Sequence, residues 1–144
     1  MRALIVYAHP EPSSFNATLR AAAEETLTGA GYEVAVSDLY ALGFDAVAGP
    51  GDVTVRQNAE SFNLGLEQMH AAHGGGFAND LQSEIDKLMA ADLLVLQFPM
   101  WWFSMPAILK GWIDRVFAFG QAYDFGRTWD KGVFSGRKAM LSVT

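Results

Sequence analysis

LLVLQFPMWWFSMPAILKGWIDRVFAF, residues 93–119, runs from an apolar segment through an aromatic cluster into a helical pattern without a gap. Leu93-Leu94-Val95-Leu96 is a continuous apolar run, and such runs suit a strand buried on both faces of a parallel sheet. After Pro106, the residues Leu109, Trp112, Ile113, Val116 and Phe117 recur at helical spacing, and proline sits well in a first turn. Trp112 and Phe117 read as core. Between strand and helix stand Pro99, Met100, Trp101, Trp102 and Phe103. Neighbours in an extended segment diverge, so three consecutive large aromatics cannot all face the core. At least one lines a site or an interface. Ligands of open α/β sheets lie outside the carboxyl ends of the strands. Stacking on a flat ring adds about 0.5–1.5 kcal/mol per aromatic beyond area burial, so the loop asks for a partner such as an isoalloxazine, a quinone or a nicotinamide.

Working outward, Leu4 to Ala8 is a second continuous apolar run. It stops at His9-Pro10-Glu11-Pro12, where two prolines forbid regular structure. Ser13-Ser14-Phe15-Asn16 then opens a helix with Leu19, Ala22, Ala23, Thr26, Leu27 and Ala30 on one face and Gly31 as its stop. Tyr32 to Ser37 reads as the next strand, closing a βαβ unit. Asp38 to Gly76 is the least regular part, a surface or subunit-interface excursion with a weakly helical piece around Ala59 to Ala72. Asn79 and Gln82 form an apparent capping box for a helix reaching Ala91. After the aromatic loop and its helix, Gln121 to Gly136 is a glycine-containing loop. Lys138 to Val143 is the fourth strand.

This β-α-β-(loop)-α-β-α-β order predicts a single α/β domain over residues 1–144, a doubly wound parallel sheet with helices on both faces. Such sheets normally carry a fifth strand and a last helix. The expectation is therefore a C-terminally truncated chain lacking both.

Composition narrows the function. The chain has 144 residues, 51% hydrophobic and 18% charged, the balance of a folded domain rather than a disordered one. A net charge of -6 argues against nucleic acid and anionic membrane as partners. Cysteine is absent, which excludes thiolate chemistry and fits a cytoplasmic location. No window is long enough for a membrane span.

The loop His9 to Asn16 lies where α/β proteins bind phosphate, with free N–H groups and the positive end of a helix dipole. Ser13, Ser14, Asn16 and His9 add side-chain donors. The loop matches neither the dinucleotide fingerprint nor a Walker A sequence. Tyr123, Phe125 and Trp129 form either the opposite wall of the aromatic site or a satellite cluster. His70 and His73 lack the further ligands of a metal site and read as a solvated loop; no metal is expected. No nucleophile elbow or carboxylate pair stands out. The chemistry is expected to belong to a bound cofactor.

At these residues the sequence resembles the NAD(P)H:quinone oxidoreductase family of flavodoxin-like fold, the DT-diaphorase type. The resemblance rests on Ala3–His9, Ser14-Phe15-Asn16, Ser37-Asp38-Leu39-Tyr40, Ala90–Leu93, Gln97-Phe98-Pro99, Trp102-Phe103, Pro106–Trp112, Asp130-Lys131-Gly132 and Leu141–Thr144. It implies FAD, with the pyrophosphate at His9, Ser14, Phe15 and Asn16. The isoalloxazine would lie on Pro99, Met100, Trp101, Trp102, Phe103 and Thr144. It implies NAD(P)H as donor and a quinone as acceptor, bound by Phe103, Tyr123 and Phe125, in a homodimer. Family members commonly carry Gln where this chain has Trp101. Phe125 replaces a family tyrosine. The Thr-Gly-Gly loop, Tyr and His that follow in the family lie beyond Thr144. A second implied role is that of an ancillary subunit of a potassium-efflux transporter. A third, a flavodoxin-type electron carrier, is opposed by the absence of its Thr/Ser-Gly-Asn phosphate loop.

Overall fold

The apolar runs become the strands of one parallel sheet. In the computed structural model, which describes residues 1–144, β1 (Arg2–Tyr7), β2 (Glu33–Asp38), β3 (Leu93–Phe98) and β4 (Lys138–Val143) lie in the order β2-β1-β3-β4. Register runs Ala3↔Val34, Ala3↔Leu93 and Leu93↔Lys138. The two runs without polar alternation, β1 and β3, take the two central places, as burial on both faces requires.

Helices cover both faces. Leu4, Val6, Ala8, Leu96 and Phe98 pack in one core with Leu81, Ile85 and Leu88 of α3 (Asn79–Ala90) and Leu109, Trp112 and Val116 of α4 (Ala107–Val116). The opposite face, with Ile5, Tyr7, Val95 and Gln97, meets α1 (Phe15–Gly29). Trp112 is fully buried, and its Nε1–H donates to Glu84 at 2.8 Å. A buried indole needs such a partner. Lys87 closes the cluster by pairing with Glu84 and donating to Ser37.

Three expectations need correction. The inward side of α1 carries Asn16, Leu19, Arg20, Ala23 and Leu27, whereas Ala22, Thr26 and Ala30 are exposed. An alanine-rich helix gives little contrast between faces, and Arg20 turns inward to lie 5.5 Å over the Tyr7 ring. The capping box is not formed. Ala78 precedes α3 without a side-chain cap, and Gln82 donates to Asp86 instead. The start of α3 is set by docking, since the Ala78 amide donates to the Asp52 carbonyl and Val53 bridges Phe77.

The excursion is tied to the fold by side chains, and its weakly helical piece is present. It contains α2 (Leu64–His70), capped by Asn63, and an irregular turn Ala71–Gly75. Arg115 of α4 pairs with Asp52 at 2.9 Å, both buried, and donates to the Asp45 carbonyl at 2.6 Å. Glu67 pairs with Arg56 and accepts the Gln57 amide at 2.7 Å, which holds its carboxyl below the usual range. Arg56 also donates to the carbonyls of Asn58 and Ser61. His70 closes α2 and is half-buried, which corrects the solvated-loop expectation for it, whereas His73 is exposed in the irregular turn that follows. No helix is long and apolar enough to cross a membrane.

Candidate functional site

The three segments expected at the site meet at the carboxyl ends of β1, β3 and β4. The loop His9–Ser14 follows β1, Pro99–Pro106 follows β3, and Thr144 follows β4. Backbone bonds join them. The Ala8 amide donates to the Gln97 carbonyl at 3.0 Å, the Thr144 amide to Phe98 at 3.2 Å, and the Met100 amide to Thr144 at 2.9 Å. His9 and Trp101 face each other with ring centroids 6.1 Å apart. The sheet order changes direction between β1 and β3, the place where open α/β sheets form a ligand crevice.

The first loop is held by its own polar groups. The Glu11 carboxylate accepts from the Ser13 amide and hydroxyl at 2.9 and 2.6 Å. These bonds, with nearby His9, hold its carboxyl below the usual range. They also occupy the Ser13 donors, which are therefore not offered to a ligand. Ser14 Oγ accepts the Ala17 amide at 3.1 Å and caps α1. His9 Nδ1 accepts the Glu11 amide at 3.0 Å, which puts the proton of the neutral ring on Nε2. The amides of Phe15 and Asn16 have no intramolecular acceptor. They are the free donors of the helix N-terminus, where the dipole favours an anion.

The aromatic loop is a tight turn. Trp101 and Ser104 exchange backbone hydrogen bonds of 2.9 and 3.1 Å around Trp102 and Phe103. Both central residues have positive φ, 51° and 61°. Glycine or asparagine would normally hold such places, and bulky side chains there store strain of order 1–3 kcal/mol each. Trp102 and Phe103 are 93% and 91% exposed. Met100 and Trp101 are partly exposed, and Pro99 is buried behind them. Proline has no N–H, the Met100 and Trp101 amides are spent inside, and those of Trp102 and Phe103 remain free.

Tyr123 and Phe125 are exposed but stand apart. They pack on Phe119, stacked and edge-on, each at 5.2 Å between centroids. Trp129 is exposed at positive φ on the rim of a separate cavity of about 460 Å³ that Tyr123 also lines. No ring contact joins Tyr123 or Phe125 to Trp102 or Phe103. The sequence reading missed Gln97. It lies buried beneath the crevice, and its Nε2 donates to Asn16 Oδ1 at 2.8 Å. Asn16 Nδ2 in turn donates to Thr144 Oγ1 at 2.7 Å. The Asn16 side chain is thus spent inside the protein, and only its backbone amide faces the loop. A lone polar residue late in an apolar strand was the available signal.

Fold and crevice define an open, parallel α/β protein with a ligand site at the β1/β3 switch point, lined by backbone donors and exposed aromatics. The chain belongs to the family of flavodoxin-like fold, whose model matches residues 1–144. The chain is 46% identical to human ribosyldihydronicotinamide dehydrogenase [quinone], over 99% of its own length and 62% of the relative's. It is 44% identical to rat NAD(P)H dehydrogenase [quinone] 1, over 99% of its length and 53% of the relative's. A solved Klebsiella pneumoniae structure of a candidate quinone reductase superposes with a TM-score of 0.90 and 44% identity, over 99% of this chain and 58% of that one. The chain thus spans about three fifths of the human relative's length.

Proposed function

We propose that the protein is a flavin-dependent NAD(P)H:quinone oxidoreductase with FAD as its cofactor. One observation carries the reading. Two pairs of unpartnered amides, Phe15 with Asn16 and Trp102 with Phe103, open at the same strand ends beside exposed aromatic rings. The first pair suits phosphate. The second suits the carbonyl and nitrogen acceptors of a flat heterocycle. The site residues fit the group, because the Glu11 carboxylate is engaged by Ser13 and not by the helix N-terminus, which leaves the Phe15 and Asn16 amides free. His9, Ser14, Phe15 and Asn16 would hold the pyrophosphate. Met100, Trp101, Trp102, Phe103 and Thr144 would hold the ring system, with buried Pro99 backing the turn.

When bound, FAD supplies a centre that takes up hydride and hands it on. The chain's part is to orient both substrates and keep water from the reacting face. Phe103 supplies a flat wall for NAD(P)H and for the quinone in turn. Tyr123 and Phe125 complete the acceptor pocket, and their separation from Phe103 within one chain supports a homodimer in which two copies close each site. The exposed apolar surface agrees with that assembly. No feature of the site favours the ancillary-subunit reading.

The test uses the full-length protein. FAD titrated in should bind with quenched flavin fluorescence, more tightly than FMN. NAD(P)H should then reduce a benzoquinone with parallel double-reciprocal lines, as one shared site requires. A protein that binds neither flavin, or that oxidises no NAD(P)H when loaded, would sink the proposal. Tighter binding of FMN would overturn the choice of FAD alone.

A further inference from the structure

The polar side chains beneath the crevice form one directed chain. Gln97 is 1% and Asn16 2% exposed. Gln97 Nε2 donates to Asn16 Oδ1, and Asn16 Nδ2 donates to Thr144 Oγ1. A threonine hydroxyl has a single proton and two lone pairs. Here one lone pair takes the Asn16 proton, and no acceptor within residues 1–144 holds the Thr144 proton. The other free groups at this rim are donors, namely the amides of Phe15, Asn16, Trp102 and Phe103. A ligand that fits them presents acceptors. With the chain running from Gln97 outward, the Thr144 hydroxyl is a further donor. With both amides reversed, it would point its proton inward and offer a lone pair to an acceptor-rich ligand.

We propose that Gln97 is a positioning residue. Its amide fixes the direction of a three-member hydrogen-bond chain that presents the Thr144 hydroxyl as a donor to an acceptor oxygen of the bound cofactor. This rests on the flavin reading for the identity of the ligand. The direction of the chain belongs to the protein alone. Such chains polarise their members, so the outermost bond gains from the inner ones. The titratable and charged groups on this face are Tyr7 of β1, Asp38 of β2, Arg20 and Glu24 of α1, and Lys138 at the far end of β4. His9 stands in the loop above.

The decisive variant of the full-length protein is Gln97→Glu. An ionised carboxylate only accepts, so Asn16 must turn its amide to donate inward. Its oxygen then draws the Thr144 proton inward. The introduced charge is buried without a cation partner, so thermal stability without flavin should fall as well, and Thr144→Val, which buries no charge, is the control for that loss. The FAD dissociation constant should rise about 2- to 12-fold where the introduced carboxyl is ionised, the range for one neutral hydrogen bond. The loss relative to wild type should fall as pH drops and the introduced carboxyl becomes a donor again. Thr144→Val should lose as much, with no recovery at low pH, and Gln97→Glu should add little to it.

Wild-type affinity in Gln97→Glu throughout the pH range in which the introduced carboxyl ionises, or full additivity with Thr144→Val, would each overturn the proposal. A readout without ligand separates it from the flavin reading. Thr144→Val should shift the Asn16 side-chain amide resonances, because it removes the acceptor they donate to. Unmoved resonances would overturn the Asn16–Thr144 bond on which the chain depends, whether or not FAD binds.

Discussion

Gly111 occupies the middle of α4, where glycine costs about 1 kcal/mol relative to alanine. The structure gives the reason. A Cβ at Gly111 would lie 2.1 Å from the Ala46 carbonyl oxygen and 2.5 Å from Ala46 Cα. Ordinary contact begins near 3.4 Å, so the backbone of residues 45–47 would have to retreat by about 1.3 Å, the difference between 3.4 and 2.1. That retreat pulls the Asp45 carbonyl from Arg115, which donates to it at 2.6 Å. Overpacking costs about 1–3 kcal/mol, and a lost bond to a charged group about 1.5–3 kcal/mol. The helix-propensity gain of about 1 kcal/mol opposes both. Gly111→Ala should therefore destabilise by roughly 2–4 kcal/mol, at about 2–4 °C of melting temperature per kcal/mol in a protein of this size. Gly29→Ala is the control, since nothing lies within 4 Å of its Cβ position in α1. It should be neutral or stabilising by up to about 1 kcal/mol. Thermal and urea unfolding of both variants decide the matter. Equal stability of the two would refute the close approach of α4 and the excursion.

Trp102→Gly should raise the melting temperature of the flavin-free protein, by relief of about 1–2 kcal/mol of backbone strain at an exposed position, while weakening FAD binding in a fluorescence titration. Asp52→Ala should cost about 3–5 kcal/mol in urea denaturation by stranding the buried Arg115 charge. Replacing both partners by leucine and methionine should recover most of that. Glu67 has a folded pKa held below its ordinary value by the Gln57 amide and Arg56, so its contribution is complete above the unfolded pKa and lost as pH falls through the folded one. The stability gap between wild type and Glu67→Gln should therefore close on acidification from neutral pH, which an acid series of unfolding curves will show.

What the sequence made legible follows from the kind of force involved. The boundaries Leu93–Phe98 and Lys138–Val143 are as the structure has them, because a largely apolar run bounded by proline, glycine or charge has few other uses in a parallel sheet. Trp101–Phe103 read as a segment with at least one ring outside the core, because no local geometry buries three neighbours. The excursion did not read, since its order comes from Arg115–Asp52 and Arg56–Glu67. Charges bridging segments distant in sequence leave no period. Asn79 and Gln82 misled for a related reason, because a tertiary bond from Asp52 set the helix start before a side-chain cap was needed. Gln97 stood out only as a lone polar residue, and its role did not read because its partners are supplied by α1 and the residue after β4.

Those partners have a kinetic consequence. The Gln97–Asn16 bond joins residues 81 apart and the Asn16–Thr144 bond residues 128 apart. Contacts of such separation close late, after loop entropy has been met by the sheet itself. The crevice is thus absent from any intermediate that lacks the β3–β4 pairing, and a nascent chain cannot assemble it until residue 144 has left the ribosome. A ligand of this crevice binds the finished fold alone, so it slows unfolding by mass action while leaving the folding rate unchanged.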